Sequence, residues 1–192
     1  MDYLKNPSPK AVQQDTSKFH CWAASLESWI GARKPQTPQA SMTSTQADLI
    51  RSYKDFTGAK DGLMVGKAML QIMFDFQMMI DLYKPQAGKP VTGQAILSRL
   101  LNKSYLWLFY LGGPGLGARL GHALVVYGVQ KSHKTDATLK VMDPWTGTLT
   151  DHPVADLNQT DTVFSCWYET GPNWSDDMLR IIMAVSGAQK KT

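Results

Sequence analysis

The second half of the chain carries a succession of short apolar runs that are rich in β-branched and aromatic residues. Four of them lie between clusters of Gly, Pro, Asp and Thr, namely YLWLFYL (105–111), HALVVYGV (122–129), TLKVMD (138–143) and TVFSCWYE (162–169). Runs of this length and composition, bounded by turn-forming residues, are typical of β-strands. The sequence therefore predicts a mainly antiparallel β lobe over residues 105–192.

The first half of the chain shows a helical repeat instead. Beginning at Cys21, the residues of one helical face are Trp22, Leu26, Trp29, Ile30 and Arg33. Ser25 and Ser28 fall away from that face. Gly31 offers a place for this helix to end.

Three more helices and one strand are predicted before residue 105. They are a helix capped by Thr43 with Gln46, a methionine-rich helix over 64–76, a strand in QMMIDLYK (77–84) that Pro85 ends, and a helix capped by Thr92. Near the end of the chain, SDDMLRIIMAV fits either a capped helix or an edge strand. Together these elements predict an α+β fold in a single domain over residues 1–192, with a mainly helical lobe over 1–104. A cleft between two such lobes is a natural place for chemistry.

Charge and hydropathy argue against several classes of protein. The net charge is +4, but the basic residues do not interleave with aromatic residues along a stripe, so we expect no nucleic-acid partner. The first twenty residues lack the charged-then-apolar plan of a signal peptide. The longest apolar run, YLWLFYLGG, is shorter than the ~20 residues that span a bilayer. We therefore expect a soluble protein with no membrane partner.

The sequence contains no pattern for a metal or a nucleotide. None of the four histidines is spaced as a zinc pair on a helix, and neither CxxC nor an EF-hand loop occurs. The run GGPGLGARLG (112–121) lacks the Gly-Lys-Ser/Thr ending of a phosphate loop and precedes a strand, so we interpret it as a mobile loop beside a site. We expect no metal and no cofactor.

Thiol chemistry remains, and Cys21 has the better setting of the two cysteines. It stands at the start of an amphipathic helix, in KFHCWAAS, where backbone N–H groups and the helix dipole stabilise a thiolate. Cys166 lies in a strand-like run and is expected to be an inert buried residue. From the residues alone, Cys21 is compatible with a buried structural residue, a nucleophile, or half of a single disulfide.

A candidate base and a candidate acid stand at the ends of two consecutive strands. His122 opens the strand after the glycine-rich run, and Asp143 ends the next strand, where Pro144 prevents further pairing. If the two strands pair as a hairpin, His122 and Asp143 lie side by side. The carboxylate can then orient the ring of a general base that serves a thiol nucleophile.

The other histidines are weaker candidates for the base. His20 is adjacent to Cys21, but neighbouring residues on a helical turn point in different directions, so we expect His20 near the cleft and not as the base. His133 and His152 lie in loop-like contexts and are expected at the surface.

Together these motifs resemble the papain-like cysteine peptidases. CWAAS (21–25) is similar to the Cys-Trp-Ala-x-Ser opening of that family's central helix, GHALVVYG (121–128) resembles its histidine strand, and VMDPWTG (141–147) stands where the family has Asn-Ser-Trp-Gly. The Asp-Pro form is similar to bacteriocin-processing (double-glycine leader) peptidases and to papain-like effector proteases of pathogenic bacteria. The resemblance implies a papain-like two-lobe fold with the nucleophile helix in the N-terminal lobe.

By position, the resemblance implies Cys21 as the nucleophile, His122 as general base and then acid, and Asp143 as the group that orients the imidazole. It implies cleavage of peptide bonds in protein substrates through a thioester acyl-enzyme. The similarity to effector proteases further implies a bacterial toxin or effector domain that is delivered into a target cell, with a cognate immunity protein as a second partner.

Supporting residues follow from the same resemblance. Trp145 matches the family tryptophan that shields the histidine–acid hydrogen bond, with core packing as the alternative, and Trp22 follows the nucleophile. The family's oxyanion hole uses a glutamine shortly before the cysteine together with the cysteine N–H. Gln14, seven residues before the cysteine, is favoured here over Gln13.

Three alternatives to an effector protease remain open at the level of sequence. The same triad also serves deamidation of a protein glutamine or transglutamination, because the acyl-enzyme step is shared. A leader peptidase for export is the second alternative. The third is a non-catalytic binding protein in which Cys21 is a core residue or is bridged to Cys166.

Overall fold

The structure, a computed structural model, describes residues 2–15, 20–33, 45–55, 66–102, 105–112, 121–134 and 136–169. In chain order its elements are β1 (Tyr3–Leu4), α1 (Cys21–Arg33), α2 (Gln46–Tyr53), α3 (Gly66–Asp75), β2 (Met78–Tyr83), a 3-10 turn (Pro85–Ala87), α4 (Gly93–Asn102), β3 (Leu106–Leu111), β4 (Gly121–Gln130), β5 (Thr138–Asp143), β6 (Thr148–Pro153), α5 (Val154–Leu157) and β7 (Thr162–Tyr168). The predicted mixture of helices and strands is confirmed.

The described strands form a seven-stranded antiparallel sheet. Its order is β2-β7-β3-β4-β5-β6, and β1 adds a short pairing to β4. The four runs predicted as strands in the second half are β3, β4, β5 and β7, and the strand predicted before Pro85 is β2, which pairs with β7. The sheet therefore draws two of its strands, β1 and β2, from the first half of the chain.

Helices cover both faces of this sheet. Alternate residues of β3 and β4 point to opposite faces of the sheet, so each strand contributes to two cores. The core with α1 contains Trp107, Phe109, Ala123 and Val125. The core with α4 contains Leu106, Leu108, Leu124 and Val126. Burial on both faces explains why these strands read as nearly continuous apolar runs rather than as alternating ones. His122 belongs by register to the face that carries Leu124 and α4.

Helix α1 is buried on nearly all sides, which corrects the expectation of a single apolar face. Ser25 and Ser28, expected off that face, are both buried: the Ser25 hydroxyl accepts the Trp107 indole N–H at 2.8 Å, and Ser28 donates to the Lys10 carbonyl at 2.6 Å. The helix also continues through Gly31, where an added Cβ would meet no atom within 4 Å. A helix packed all round needs partners for its polar side chains, and these two serines have them.

Helix capping was predicted correctly at one position and wrongly at another. The Ala95 N–H donates to the Thr92 hydroxyl at 3.1 Å, so Thr92 caps α4 as predicted. The capping box of α2 is formed by Thr45 and Asp48, not by Thr43 with Gln46, because the helix begins at Gln46 itself. Thr43, the first residues of the methionine-rich helix, residues 113–120 and the segment SDDMLRIIMAV lie outside the described residues.

No helix in the described ranges is both long enough and apolar enough to cross a bilayer.

Candidate active site

Cys21 is the first residue of helix α1. The His20 carbonyl accepts the N–H groups of Ala23 at 3.0 Å and Ala24 at 3.1 Å, so the helical hydrogen bonding begins immediately before the cysteine. The thiol is 7% exposed, and its Sγ lies 4.0 Å from the Gly121 carbonyl oxygen at the start of β4. The positive end of the helix dipole therefore lies at the thiol.

His122 and Asp143 meet across the hairpin that the sequence predicts. Strands β4 and β5 pair antiparallel with Val125 opposite Met142, so the first residues of β4 and the last residue of β5 lie at the same end of the hairpin. The His122 Nε2 atom is 2.8 Å from the Asp143 Oδ1 atom. The same carboxylate oxygen accepts the Trp145 backbone N–H at 2.9 Å, which anchors the carboxylate at the start of the turn.

The His122 imidazole is held by partners on two sides. Its Nε2 faces the carboxylate, and Cys21 acts on the ring through a hydrogen bond and its charge, which we assign to Nδ1 because Asp143 occupies Nε2. Burial lowers the pKa of His122, but the hydrogen bonds to Asp143 and to Cys21 outweigh it and raise the pKa to about 9. For Asp143, burial raises the pKa of the carboxyl, and the hydrogen bond and charge of His122 more than reverse this, so the net direction is downward.

These shifts favour an ionised pair. A carboxylate with a lowered pKa and an imidazole with a raised pKa are both charged at neutral pH, and each stabilises the other. An imidazolium beside a thiol at a helix N-terminus is the setting in which a cysteine is nucleophilic. The arrangement can therefore carry out acyl transfer.

Gln14 is buried close to this pair. Gln14 is 5% exposed, and its backbone N–H donates to the carbonyl of Pro144, the residue directly after Asp143, at 2.9 Å. Gln13, in contrast, is exposed and lies against Gly147, where an added Cβ would come within 2.6 Å of the Gln13 Cβ. The segment before α1 thus runs along the turn that follows β5, with Gln14 as its inward residue.

The two tryptophans next to the triad motifs have different environments. Trp145 is 54% exposed, so the alternative in which it packs in the core is wrong, and its recorded contact with Asp143 is made by its backbone N–H. Trp22 is fully buried on α1, where its ring meets Tyr53 of α2 edge-on at 6.2 Å between centroids. Trp22 therefore packs α1 against α2.

The disulfide alternative is contradicted. Cys21 and Cys166 are both free thiols and belong to different elements, α1 and the interior of β7. Complete burial raises the pKa of the Cys166 thiol, as expected for an inert core residue.

His152 corrects another expectation. It lies on β6 rather than in a surface loop, it is partly buried, and its ring meets that of Tyr110 at 6.0 Å between centroids. The ring of the same tyrosine also contacts that of His122, with 5.8 Å between the two centroids. Sequence reasoning missed this contact because TLTDHP is too polar to be recognised as a strand.

Of the remaining histidines, His133 is exposed in the turn between β4 and β5, as expected. His20 is buried directly before Cys21. Among the described residues, no group of three or more His, Cys, Asp or Glu side chains is placed to hold a metal ion.

Comparison with known proteins gives one family. No curated protein matches the chain in sequence. The family model for the papain-like cysteine protease AvrRpt2 matches residues 5–162, a range that spans α1, the β4–β5 hairpin and the turn after it. Because the match covers most of the chain, the protein belongs to the AvrRpt2 family of papain-like cysteine proteases, a family of bacterial effector proteases.

Proposed function

We propose that this protease cleaves its protein substrates with Cys21 as the nucleophile, His122 as the general base and acid, and Asp143 as the orienting carboxylate. The observation that carries the assignment is the His122 imidazole, which bonds Asp143 at 2.8 Å on one side and the Cys21 thiol on the other. Both partners raise the pKa of His122, as an imidazolium in an ion pair requires.

Acylation begins when the Cys21 thiolate attacks the carbonyl carbon of the scissile peptide bond. A C–S bond forms and the carbonyl electron pair moves to oxygen, which gives a tetrahedral oxyanion. As the oxyanion collapses, the C–N bond breaks and the His122 imidazolium gives its Nδ1 proton to the leaving amine. The product is a thioester between the substrate and Cys21.

Deacylation reverses the role of the histidine. Neutral His122 takes a proton from water, the hydroxide attacks the thioester, and the C–S bond breaks to release a carboxylic acid and the thiolate. In both steps the Cys21 backbone N–H and the Gln14 side-chain amide donate to the oxyanion. Burial of Gln14 and its backbone anchor on Pro144 support this role, whereas the exposure of Gln13 argues against it.

For the biological role, we place the protein as a single catalytic domain that acts as an effector or toxin in the cytoplasm of a target cell. Membership of a bacterial effector family supports this role. A producer that is itself sensitive to the protease needs protection, so a cognate immunity protein that occupies the cleft is the second partner in this scheme.

Thiol reactivity tests the nucleophile without knowledge of the substrate. At about pH 6 an ordinary thiol, with a pKa of about 8.5, is almost wholly protonated and reacts slowly with iodoacetamide. We expect rapid alkylation at Cys21 in the native protein and in the matched variant Cys166→Ala, and none in Cys21→Ala. Equal, slow alkylation of both cysteines would contradict the assignment.

Peptide hydrolysis requires a second experiment. The native protein and Cys21→Ala are each incubated with a cell lysate, and new protein termini are mapped by mass spectrometry. New termini only with the native protein support cleavage. An alkylatable Cys21 together with a gain of about one mass unit on intact proteins, and no new terminus, would replace cleavage by deamidation.

A further inference from the structure

Tyr110 contacts two imidazole rings beside the proposed triad. Its ring centroid is 5.8 Å from that of His122, with the planes at 79°, and 6.0 Å from that of His152, with the planes at 71°. Both contacts have the edge-to-face geometry and spacing that aromatic pairs prefer. Tyr110 on β3 therefore contacts both His122 on β4 and His152 on β6.

The sheet itself fixes the first contact of this stack. Tyr110 on β3 is the register partner of His122 on β4, so both side chains leave the same face of the sheet. Tyr110 is buried, and its ring therefore cannot turn away into solvent. Trp145, the residue that the family pattern offers for packing against the imidazole, is by contrast more than half exposed.

His152 is the second imidazole in contact with Tyr110. It stands opposite Leu139 in the β5–β6 pairing, and its Nδ1 lies 3.9 Å from the Asp156 Oδ2 in the first turn of α5. Burial lowers the pKa of His152, and the charge of His122 lowers it further, against the raising effect of Asp156 and Asp143. Among the described residues these are the charged groups that act on it, and the net result is a neutral ring at neutral pH. A neutral His152 supports Tyr110 without repelling a protonated His122.

The orientation of His122 matters because its two nitrogens have different partners. A turn of the imidazole about its bond to Cβ would carry Nε2 away from Asp143 and Nδ1 away from Cys21, and both hydrogen bonds would be lost together. We infer that Tyr110, itself in edge-to-face contact with His152, is the positioning residue that holds the His122 imidazole in the orientation that pairs it with Cys21 and Asp143. The inference rests on the proposed triad, and it assigns Tyr110 a role through His122 rather than through the substrate.

The test replaces the ring and the hydroxyl of Tyr110 separately. Tyr110→Phe keeps the ring, so the rate of Cys21 alkylation by iodoacetamide at about pH 6 should stay within about twofold of the native rate. Tyr110→Leu removes the ring and should lower that rate roughly two- to tenfold, the value of one aromatic pair. The pKa of His122, measured by NMR, should fall in Tyr110→Leu and stay in Tyr110→Phe.

Two outcomes would overturn the inference. One is a Tyr110→Leu protein with the native alkylation rate and His122 pKa, and the other is a Tyr110→Phe protein as impaired as Tyr110→Leu, which would assign the effect to the hydroxyl. If Tyr110→Leu does not fold, the pair His152→Phe and His152→Ala decides the question. The inference predicts the native His122 pKa for the first variant and a lowered one for the second, and equal values would overturn it.

Failure of the inference is distinguishable from failure of the proposed function. The alkylation and NMR measurements require no substrate, so they report on His122 even if the protein cuts nothing in a lysate. A native protein whose Cys21 is unreactive at about pH 6 contradicts the triad itself. A reactive Cys21 that is indifferent to Tyr110→Leu contradicts only the role of Tyr110.

Discussion

Replacing Asp143 by Asn removes the negative charge beside His122 while keeping the size of the side chain. An Asn side-chain oxygen can still accept the Trp145 backbone N–H that Asp143 accepts at 2.9 Å, so the turn after β5 should persist. The change therefore isolates the electrostatic part of the contact between His122 Nε2 and the carboxylate, now 2.8 Å long. We expect the pKa of His122 to fall.

The size of the fall is bounded by the structure. Burial alone would depress the pKa of His122 below its ordinary value of 6.5, and the hydrogen bonds to Asp143 and Cys21 raise it to about 9. The difference between 6.5 and 9 corresponds to about 3 kcal/mol in favour of the protonated ring. Asp143 supplies two of the four raising contributions, and its hydrogen bond is the largest of them, so its loss should remove a large share of that energy.

The fall in pKa translates into a loss of ion pair. At about pH 8 an imidazole with a pKa of about 9 is roughly nine-tenths protonated, whereas one with a pKa of about 7 is roughly one-tenth protonated. A decrease of this size in the Asp143→Asn protein would lower the reactive population about tenfold at that pH and much less at about pH 6. The alkaline limit of activity should accordingly move to lower pH.

The assay is the pH dependence of protein cleavage in a lysate, which needs the His122 imidazolium to protonate the leaving amine, with the NMR-detected pKa of His122 as a second readout. Asp136→Asn is the matched control, because Asp136 is an exposed carboxylate at the far end of the same hairpin, paired with Lys131 at 2.7 Å. The control should keep the native profile. An Asp143→Asn protein whose alkaline limit stays near pH 9 would refute the electrostatic account of the raised His122 pKa.

The stability of the protein should follow the same pair. A folded pKa of about 9 against an unfolded value of 6.5 means that protonation of His122 contributes stability that is fully present below pH 6.5 and is lost as the pH rises through 9. The free energy of unfolding, measured by urea titration, should decline over that interval more steeply in the native protein than in Asp143→Asn. Equal slopes would contradict the linkage.

Three substitutions away from the ion pair test the rest of the framework. Gly147→Ala forces a side chain into a backbone with φ of +66° and places its Cβ 2.6 Å from the Gln13 Cβ; unfolding free energy should fall by at least about 1–2 kcal/mol, and lysate cleavage with it. Ser25→Ala leaves the buried Trp107 indole N–H without its acceptor, so the free energy of unfolding measured in urea should fall by ~1–3 kcal/mol. Thr45→Ala removes an exposed cap and should cost ~1 kcal/mol while Cys21 alkylation keeps its native rate. A native stability in the first two proteins, or slowed alkylation in the third, would count against the structural account.

The hairpin that brings base and acid together could be predicted from the sequence. Each of its strands is a continuous apolar run with clear turn residues at its ends, and consecutive strands of this kind usually pair. His122 and Asp143 mark opposite ends of those runs, so antiparallel pairing alone places them at one edge. Local patterns therefore sufficed for these two residues and for the start of α1 at Cys21.

The surroundings of the pair could not be predicted in the same way. Strand β6 is exposed along most of its length, so its residues carry no alternation of apolar and polar side chains, and His152 could not be placed opposite Leu139. The contact of Tyr110 with both imidazoles depends on three strand pairings at once, β3 with β4, β4 with β5 and β5 with β6. The exposure of Trp145 depends on the direction of a turn, which a residue pattern does not encode.

The same physical limit applies to α1. The positions of its apolar residues suggested one buried face, but whether the opposite face is buried depends on what else packs there. The described helix has its serine face against β3 and the N-terminal segment, through the bonds of Ser25 to Trp107 and of Ser28 to Lys10. Because α1 is enclosed on this side, it has little freedom to move relative to the sheet that carries His122.

The turn after β5 gives the site a further coupling. It holds the carboxylate of Asp143 through the Trp145 N–H, it accepts the backbone N–H of Gln14 at the Pro144 carbonyl, and at Gly147 it lies against Gln13 without room for a side chain. The acid and the proposed oxyanion donor are therefore positioned by one short segment, although they are more than a hundred residues apart in the sequence. Cys21 and His122 are positioned separately, by α1 and β4. A change in the shape of this turn would thus disturb both the orientation of the imidazole and the stabilisation of the oxyanion, while leaving the thiol at the start of its helix.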